Sequence, residues 1–513
     1  MTEPAAAGET PAGDLGTHTE PPPSLQRSGP RPRRAARLWS RARKAGPAYW
    51  LLAAMVAVGL AMRVVAIASW WPAITTVADS WPYAVYAETD PLGDPQHPAG
   101  YPAMLAVIGF LTREVAVSII IQHLLGIVSA LLLFAAVRRM TGSPWPALAP
   151  AAVVLLNADQ IFLEHTIMSE GPFLAVVAGA AYASVRAIDR PDPWWRWPAA
   201  AAALIVAAAV FRSAALFFLP VAALATLLAA PRPWRPRWRG PVAILAVGAT
   251  LLAGYGLANL AANDRLELGP TQGWHLYGRV APFADCGQFT PPEGTDRLCE
   301  TTLPDSRLGG DYYLYDPASP ALKAYGAQPW NEGDADMGAW VWQVIVHQPK
   351  TYALAVWRDL RAYFVPTTRQ FKLGTGGDLD PQLDWTASGP GYADTIRDVE
   401  AGMQEFFNPF KTTKDASGLD FLHGYQRVFR FGATLLTLTT LLTLVGLLVG
   451  PRRSRIGVLL FGVGGLSLLA VPTLTVYYTG RYSVPVAPLM AAGAGITVWT
   501  LWRMEAQRRR QAV

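Results

Sequence analysis

Acidic and aromatic side chains just after residue 78 form the first tract that could do chemistry. Asp79 begins the sequence Asp79-Ser-Trp-Pro-Tyr83-Ala-Val-Tyr86, in which polar groups recur at helical spacing. A carboxylate in such a tract can take a proton from a hydroxyl group while that hydroxyl attacks a carbon atom. Asp79 can equally be the N-cap of a short helix, and the spacing alone leaves both interpretations open.

Two later tracts add further polar candidates. His97 and Tyr101 lie in a proline-rich turn, where a histidine can bind a phosphate, a hydroxyl group or a metal ion, or can be an ordinary surface residue. Ser169 and Glu170 precede an apolar stretch, which Glu170 can start as a first-turn acid or supply with a ligand for a hydroxyl group or a metal ion. The chain has no HExxH sequence, so no zinc motif supports a metal site.

Three arginines complete the set of candidates. Arg63 lies within the first apolar stretch, Arg212 lies between two apolar stretches, and Arg481 is followed directly by Tyr482. Such arginines can extend to lipid headgroups without any further role. A guanidinium group also binds phosphate through paired hydrogen bonds, so these residues suit a substrate with a phosphate or pyrophosphate at the membrane surface.

Long apolar stretches must position these groups. The chain of 513 residues is 52% hydrophobic and 16% charged, and its apolar stretches approach the length that crosses a bilayer. The stretches are Tyr49–Ser69, Ala116–Val137, Ser169–Val185, Val242–Ala261, Phe431–Val449, Ile456–Thr475 and Val484–Trp502. With a short span at Trp145–Leu156 and a hairpin over Pro198–Ala230, the pattern predicts a polytopic α-helical membrane protein of about ten spans.

Clusters of Lys and Arg predict the orientation of these spans. The clusters flank alternate loops and both ends of the chain, so the positive-inside rule places both termini in the cytoplasm. The loop 70–100, which has no Lys or Arg, and a short turn at Asn157–Met168 then lie outside. The net charge of +6 is divided among loops and ends, so it does not indicate nucleic-acid binding.

The domain boundaries follow from this topology. We predict a disordered basic cytoplasmic tail (1–48), which is not a cleavable signal, and an N-terminal transmembrane module (49–262) that contains the loop 70–100. An extracytoplasmic segment (263–425), C-terminal transmembrane helices (426–502) and a basic cytoplasmic tail (503–513) follow.

The extracytoplasmic segment differs in charge from the remainder of the chain. It holds 22 acidic and 13 basic residues, and its Pro, Gly and Trp content predicts a folded segment of mixed α/β or irregular structure. Trp340–Phe364 shows apolar residues at helical spacing, which predicts a helix on the domain or the membrane surface. Cys286 and Cys299 are the only cysteines, and an oxidising compartment favours a disulfide between them over two unpaired thiols.

Taken in order, these fragments resemble the GT-C glycosyltransferase superfamily. They are most similar to its bacterial members that resemble protein O-mannosyltransferases and the lipid A aminoarabinose transferase. The fragments are an arginine in the first span (Arg63), Asp79 to Tyr83, His97-Pro-Ala-Gly-Tyr101-Pro102, Ser169–Glu170, Arg212, and Arg481-Tyr482-Ser-Val-Pro485.

The resemblance implies an enzyme of the bacterial plasma membrane with a polyprenyl-phosphate sugar donor and an inverting single displacement on the outer face. Asp79 would be the general base, and arginines would hold the departing phosphate. Substrate-binding roles would fall to Tyr83, His97, Tyr101, Glu170, Arg63, Arg212, Arg481 and Tyr482. The acceptor would be a cell-envelope glycan, lipid or protein.

The chain also departs from the family pattern. Many relatives have an acidic pair where Asp79 is followed by Ser80, so Glu88, Asp90 or Asp94 could be the base instead. The requirement for a divalent metal ion is open for the same reason. The central arginine of relatives is often followed by proline, whereas Ser213 follows here.

Two other classes of membrane protein fit the apolar stretches. A transporter or flippase of lipid-linked sugar would share the spans and the buried charges, but transporters usually contain internal repeats, which this chain lacks. A structural or assembly protein would not need carboxylates and arginines at one interface. The sequence therefore favours the glycosyltransferase.

Overall fold

The computed structural model describes residues 46–76, 79–189, 192–230, 238–263, 266, 272–303, 306–366 and 392–511. The predicted tail 1–48 lies almost wholly outside these residues, so its predicted disorder is not addressed. The described chain is mainly helical, and its one sheet pairs two short strands, β1 (Trp70–Trp71) and β2 (Thr413–Lys414), in antiparallel register.

The N-terminal half contains ten α-helices. Their bounds are α1 (Pro47–Ser69), α2 (Ser80–Glu88), α3 (Gly100–Gly109), α4 (Val115–Thr141), α5 (Leu148–Leu156), α6 (Ala158–Glu164), α7 (Glu170–Asp189), α8 (Arg196–Phe211), α9 (Phe218–Ala229) and α10 (Arg239–Asn263). The helix α8 ends where Arg212 adopts an extended backbone, and a 3₁₀ turn (Ser213–Phe217) then leads into α9. The hairpin predicted near Arg212 therefore forms as two short apolar helices.

The segment between the two membrane parts folds as short helices joined by irregular chain. These helices are α11 (Gln272–Val280), α12 (Gly310–Tyr315), α13 (Pro320–Tyr325), α14 (Pro329–Glu332), α15 (Asp334–His347), α16 (Pro349–Ala362) and α17 (Tyr392–Met403). Trp274, Tyr277 and Trp340 are fully buried in a separate aromatic core of this segment. The irregular alternative of the fold prediction is thus confirmed.

The predicted helix over Trp340–Phe364 is interrupted. It belongs to two helices, α15 and α16, which are separated at Gln348. The break has a local cause, because Pro349 lacks the N–H group that would continue the hydrogen-bond pattern of α15.

The C-terminal part is again helical. Its helices are α18 (Ala416–Val428), α19 (Ala433–Leu448), α20 (Arg452–Val458), α21 (Gly464–Thr475) and α22 (Ala487–Gln511), with a π-helical turn at Leu459–Val463 joining α20 to α21. The last helix continues through most of the basic stretch 503–513, which was predicted as a tail.

Seven helical stretches in the described residues are long and apolar enough to cross a membrane. They are Pro47–Ser69, Val115–Thr141, Glu170–Asp189, Arg239–Asn263, Ala416–Leu448, Arg452–Thr475 and Gly480–Gln511. The α8–α9 hairpin and α5 are shorter apolar helices at the positions of the remaining predicted spans. The prediction of a polytopic α-helical membrane protein is confirmed.

One predicted loop has a different structure. Residues 157–168 were expected to form a short outer turn, but they contain α6, all of whose residues are buried. Asn157 caps this helix by accepting a hydrogen bond from the backbone N–H of Asp159, whose carboxylate in turn accepts one from Arg430. The prediction rested on the distribution of Lys and Arg, which carries no information on the local fold, and the polar side chains of Asn157 and Asp159 are paired inside the protein.

Candidate active site

Five predicted residues are brought together from separate parts of the chain. Asp79 directly precedes α2, His97 lies in the turn before α3, and Glu170 begins α7. Arg212 lies at the break between α8 and α9, and Arg481 lies in a 3₁₀ turn before α22. All except Glu170 line a cavity of about 380 Å³, called the first cavity, and Glu170 lies directly behind its arginines.

The carboxylate of Asp79 lies between two cations. Its Oδ2 accepts a hydrogen bond of 2.7 Å from Nη1 of Arg481, and its Oδ1 is 3.6 Å from Nε2 of His97. Burial alone would raise the pKa of this carboxyl group, but the charges of Arg481 and His97 outweigh burial and lower it. Asp79 occupies the N-cap position of α2 without a side-chain capping bond, so capping does not explain its placement.

His97 is held in its charged form. Its Nδ1 is 3.0 Å from Oδ2 of Asp94, which is almost fully buried, and its ring packs against Tyr83 with centroids 4.6 Å apart. Burial would lower the pKa of His97, but the carboxylates of Asp94 and Asp79 together raise it to about 10. His97 is therefore protonated at neutral pH and adds a fixed positive charge beside Asp79.

The other acidic residues of the loop have different partners. Glu88 forms a salt bridge of 3.0 Å with Arg113, Asp90 accepts a hydrogen bond from the backbone N–H of Leu92, and Asp94 orients His97. None of these three carboxylates lines the first cavity. Asp79 is thus the acidic residue of this loop with access to a ligand there.

A second ion pair lies next to the first. Nη1 of Arg212 donates to Oε1 of Glu170 at 2.7 Å and to Oγ of Ser169 at 3.2 Å, and Nε of Arg481 is 3.6 Å from the same oxygen of Glu170. The guanidinium group of Arg212 also lies 4.7 Å from the ring centroid of Tyr482. With His97, Asp79 and Asp94 included, this cluster has three cations and three carboxylates, so its charges balance, and an anionic ligand binds here by competing with the carboxylates for the two guanidinium groups.

The three predicted tyrosines differ in position, and Tyr482 lines the first cavity beside Arg212. Tyr83 lines the first cavity and donates to Oγ of Ser169 at 3.3 Å. Tyr101 is fully buried behind it, where its hydroxyl donates to Gln122 at 2.7 Å and its ring packs edge-on against Tyr83. Tyr101 therefore supports the position of Tyr83 and does not itself reach the cavity.

Arg63 is not brought to this cavity. Its Nε and Nη2 donate to both carboxylate oxygens of Glu164 at 2.8 and 2.9 Å, and its guanidinium group also donates to backbone carbonyls of Gly59, Val154 and Leu155. A buried guanidinium requires such compensation, and Glu164 supplies it. The substrate-binding role that the resemblance implied for Arg63 finds no support in this placement.

The segment 263–425, called the outer segment after its predicted location, contributes residues to the first cavity that the sequence did not single out. These are Gln272, His275, Asp311 and Tyr315, together with Tyr477 from the stretch before Arg481. Tyr477 lies four residues before Arg481. The other four belong to the segment 263–425, which has no sequence pattern that would indicate which side chains face the membrane helices. The same segment joins Cys286 and Cys299 in a disulfide, with Cα atoms 6.1 Å apart.

Among the described residues, no group of three or more His, Cys, Asp or Glu side chains is arranged to hold a metal ion. The cluster can nevertheless bind an anionic group through Arg212 and Arg481, and it presents one carboxylate, Asp79, to a neighbouring hydroxyl group.

Comparison with known proteins gives three findings. Residues 96–255 match the model of the dolichyl-phosphate-mannose-protein mannosyltransferase family. This range includes His97, Glu170 and Arg212, whereas Asp79 and Arg481 lie outside it. No curated protein sequence matches the chain significantly.

Among solved structures, two of the oligosaccharyltransferase of Archaeoglobus fulgidus are similar. One carries a tethered acceptor peptide with an NVT sequon, and shows 12% identity, a TM-score of 0.41 and coverage of 89% of this chain and 50% of that one. The other contains an inhibitory peptide and a dolichol-phosphate, with 12% identity, a TM-score of 0.40 and coverage of 91% and 52%. This chain spans about half the length of those structures. The resemblance inferred from the motifs is confirmed: this polytopic membrane protein is similar, over residues 96–255, to the dolichyl-phosphate-mannose-protein mannosyltransferases.

Proposed function

We propose that the protein is an inverting membrane glycosyltransferase of the bacterial plasma membrane. It transfers a sugar from a polyprenyl-phosphate donor to a cell-envelope glycan, lipid or protein on the outer face, and both termini lie in the cytoplasm. The charge difference between the segment 263–425 and the remainder of the chain supports this orientation, as does the disulfide between Cys286 and Cys299.

The single observation that carries the proposal is the convergence around the first cavity. Asp79, Arg212 and Arg481 come from three distant parts of the chain and meet within one cluster of ion pairs, in which Glu170 joins the two arginines. Burying so many charged groups is costly unless they are paired, and such clusters at a cavity typically mark functional sites. A protein that only scaffolds other components has no need for this arrangement.

The chemistry assigns one role to each kind of group. An acceptor hydroxyl oxygen attacks the anomeric carbon of the donor and forms the new glycosidic bond, while the bond from that carbon to the phosphate oxygen breaks. The bonding electrons stay on the departing phosphate, whose charge Arg481 and Arg212 stabilise. The proton of the hydroxyl group passes to Asp79.

The ion pair between Asp79 and Arg481 makes this role depend on the donor. While Arg481 holds Asp79, the lowered pKa of that carboxyl group makes it a weak base. A donor phosphate competes for the same guanidinium group, so its binding weakens the hold of Arg481 on Asp79. The carboxylate of Asp79 thus becomes more basic when the donor is bound. Proton abstraction from the acceptor is therefore favoured only when the donor occupies the site.

The proposal is tested with purified protein, a panel of polyprenyl-phosphate pentoses and hexoses, and cell-envelope acceptors. The wild type should release polyprenyl phosphate and form a glycosylated product. Asp79→Asn should lower kcat by about 10²–10⁴-fold, because the amide can still accept the hydrogen bond of Arg481 but cannot take a proton.

Glu88→Gln is the matched control, since Glu88 lies in the same loop but pairs with Arg113 away from the first cavity. It should retain the wild-type rate. Unchanged kcat in Asp79→Asn would refute the assignment of the base. Movement of a solute or lipid-linked sugar across liposomes without any turnover would favour the transporter class instead.

A further inference from the structure

A second cavity of about 590 Å³ lies within the outer segment. Its wall includes three arginines (Arg279, Arg307 and Arg358) but only two carboxylates, those of Asp285 and Asp359. Neither the proposed reaction nor the family match uses these residues. The excess positive charge makes the cavity a candidate for an anionic ligand.

Arg279 is the most deeply buried of the three arginines. Only 4% of the residue is exposed, and its Nη1 donates to Oδ2 of Asp359 at 2.7 Å. Its Nε and Nη2 are also buried, and in the described part of the chain they have no hydrogen-bond partner. A buried guanidinium group with unused donors costs free energy, and an oxyanion bound beside it would offset that cost.

Arg307 is fixed in place by the backbone. Its guanidinium group donates to the carbonyl oxygens of Ala281, Ala284 and Glu300 at 2.6–3.1 Å, and its Nε donates to Thr302 at 2.7 Å. Carbonyl groups satisfy its hydrogen bonds but carry no net charge. The positive charge of Arg307 therefore remains available at the cavity wall.

Arg358 differs because its side chain is 58% exposed. Its Nε is 3.7 Å from Oδ1 of Asp359, the carboxylate that also binds Arg279. One carboxylate thus serves two arginines. An exposed guanidinium group with such a weak contact can turn towards a ligand at little cost.

The second cavity adjoins the first. Tyr477 lines both, and Gly310, in the wall of the second, precedes Asp311 in the wall of the first. A Cβ atom at Gly310 would lie 2.7 Å from the carbonyl oxygen of Gly278 and 3.0 Å from Cδ1 of Tyr477. Only glycine allows this close packing where the two cavities border each other.

We propose that the second cavity is an acceptor subsite that binds an oxyanion, a phosphate or carboxylate group, which the acceptor carries near its reacting hydroxyl group. This inference rests on the proposed function and deepens it by assigning the acceptor to an anionic class. Because Tyr477 lines both cavities, an acceptor whose charged group binds Arg279 and Arg358 would place its reacting hydroxyl group past Tyr477, on the side of the first cavity.

The test measures binding to the full-length protein in detergent, by calorimetry at constant ionic strength, with inorganic phosphate and with glucuronate as probes. Saturable binding of either probe is expected, and the stronger one identifies the oxyanion. Arg358→Gln should weaken binding about tenfold, as expected for the loss of a charged hydrogen bond. Arg361→Gln removes the same charge from the same helix outside the cavity and should leave binding unchanged.

Three results would overturn the inference: no saturable binding of either probe, equal binding by wild type and Arg358→Gln, or binding that Arg481→Gln abolishes and Arg358→Gln does not. The last result would place the anion in the first cavity. No sugar donor is present in these binding measurements. They can therefore refute the anionic subsite while a loss of glycosyl transfer in Asp79→Asn still supports the proposed function. Once an acceptor has been identified, Arg358→Gln should raise the KM for that acceptor about tenfold and leave the KM for the donor unchanged.

Discussion

The charge of His97 gives a quantitative prediction about stability. The ordinary pKa of histidine is 6.5, and the buried carboxylates of Asp94 and Asp79 raise that of His97 to about 10. At about 1.4 kcal/mol per pKa unit, this difference corresponds to a stabilisation of roughly 4–5 kcal/mol at low pH. Because the pKa is raised in the folded state, the stabilisation is complete below pH 6.5 and is lost as the pH rises through 10.

The substitution His97→Gln removes this charge. Asp94 still accepts hydrogen bonds from the backbone N–H groups of residues 96 and 97, and Asp79 still has Arg481. The variant should therefore fold, yet unfold several degrees below the wild type at pH 6. Since the wild type loses its advantage as His97 releases its proton, the difference should shrink steadily and vanish near the pKa of about 10.

Thermal unfolding of both proteins in detergent from pH 6 to pH 10 measures this difference. The control is His347→Gln, because His347 is exposed, has the backbone carbonyl of Gln343 as its hydrogen-bond partner, and stacks on the uncharged ring of Phe289. That variant should follow the wild type throughout. Parallel curves for wild type and His97→Gln over the whole range would show that His97 is not held in its charged form.

Three further substitutions test other parts of the structure. Arg212→Lys should lower kcat by about 10²–10³-fold at similar expression, because a lysine loses both the forked hydrogen bonds and the stacking on Tyr482; a lysine enzyme of normal rate would argue against phosphate binding there. Gly126→Ala should lower the free energy of unfolding by about 1–3 kcal/mol, and with it the unfolding temperature, since the added Cβ meets the buried carboxylate of Glu164. An unchanged unfolding temperature would contradict that close packing. Cys286→Ser should destabilise the outer segment by about 3 kcal/mol, seen as faster proteolysis, and added reductant should accelerate cleavage of the wild type alone.

The membrane helices could be predicted because their signal is local. A stretch such as Val115–Thr141 must satisfy its backbone within the bilayer, so length and apolar composition suffice to identify it. The break at Arg212 was also predictable, since a charged residue divides two apolar stretches that are each too short for a typical span.

The partners of charged residues could not be predicted in the same way. Arg63 and Arg481 both lie within or beside an apolar stretch of the sequence, yet Arg63 pairs with Glu164 and Arg481 pairs with Asp79. Which carboxylate approaches an arginine depends on how distant helices pack, and no local pattern contains that information. For the same reason Asp311 and Tyr315 of the outer segment were not recognised as lining the first cavity.

The contact at Gly100 has a consequence for how this protein tolerates change. A Cβ atom there would lie 2.6 Å from the carbonyl oxygen of Val210, two residues before Arg212. The turn that contains His97 and the helix end next to Arg212 therefore pack so closely at Gly100 that no side chain fits between them. Gly100, which has no reactive group, thus sets the distance between the segments of His97 and Arg212. A survey of random variants should find that substitutions at position 100 reduce activity as strongly as substitutions of these charged residues.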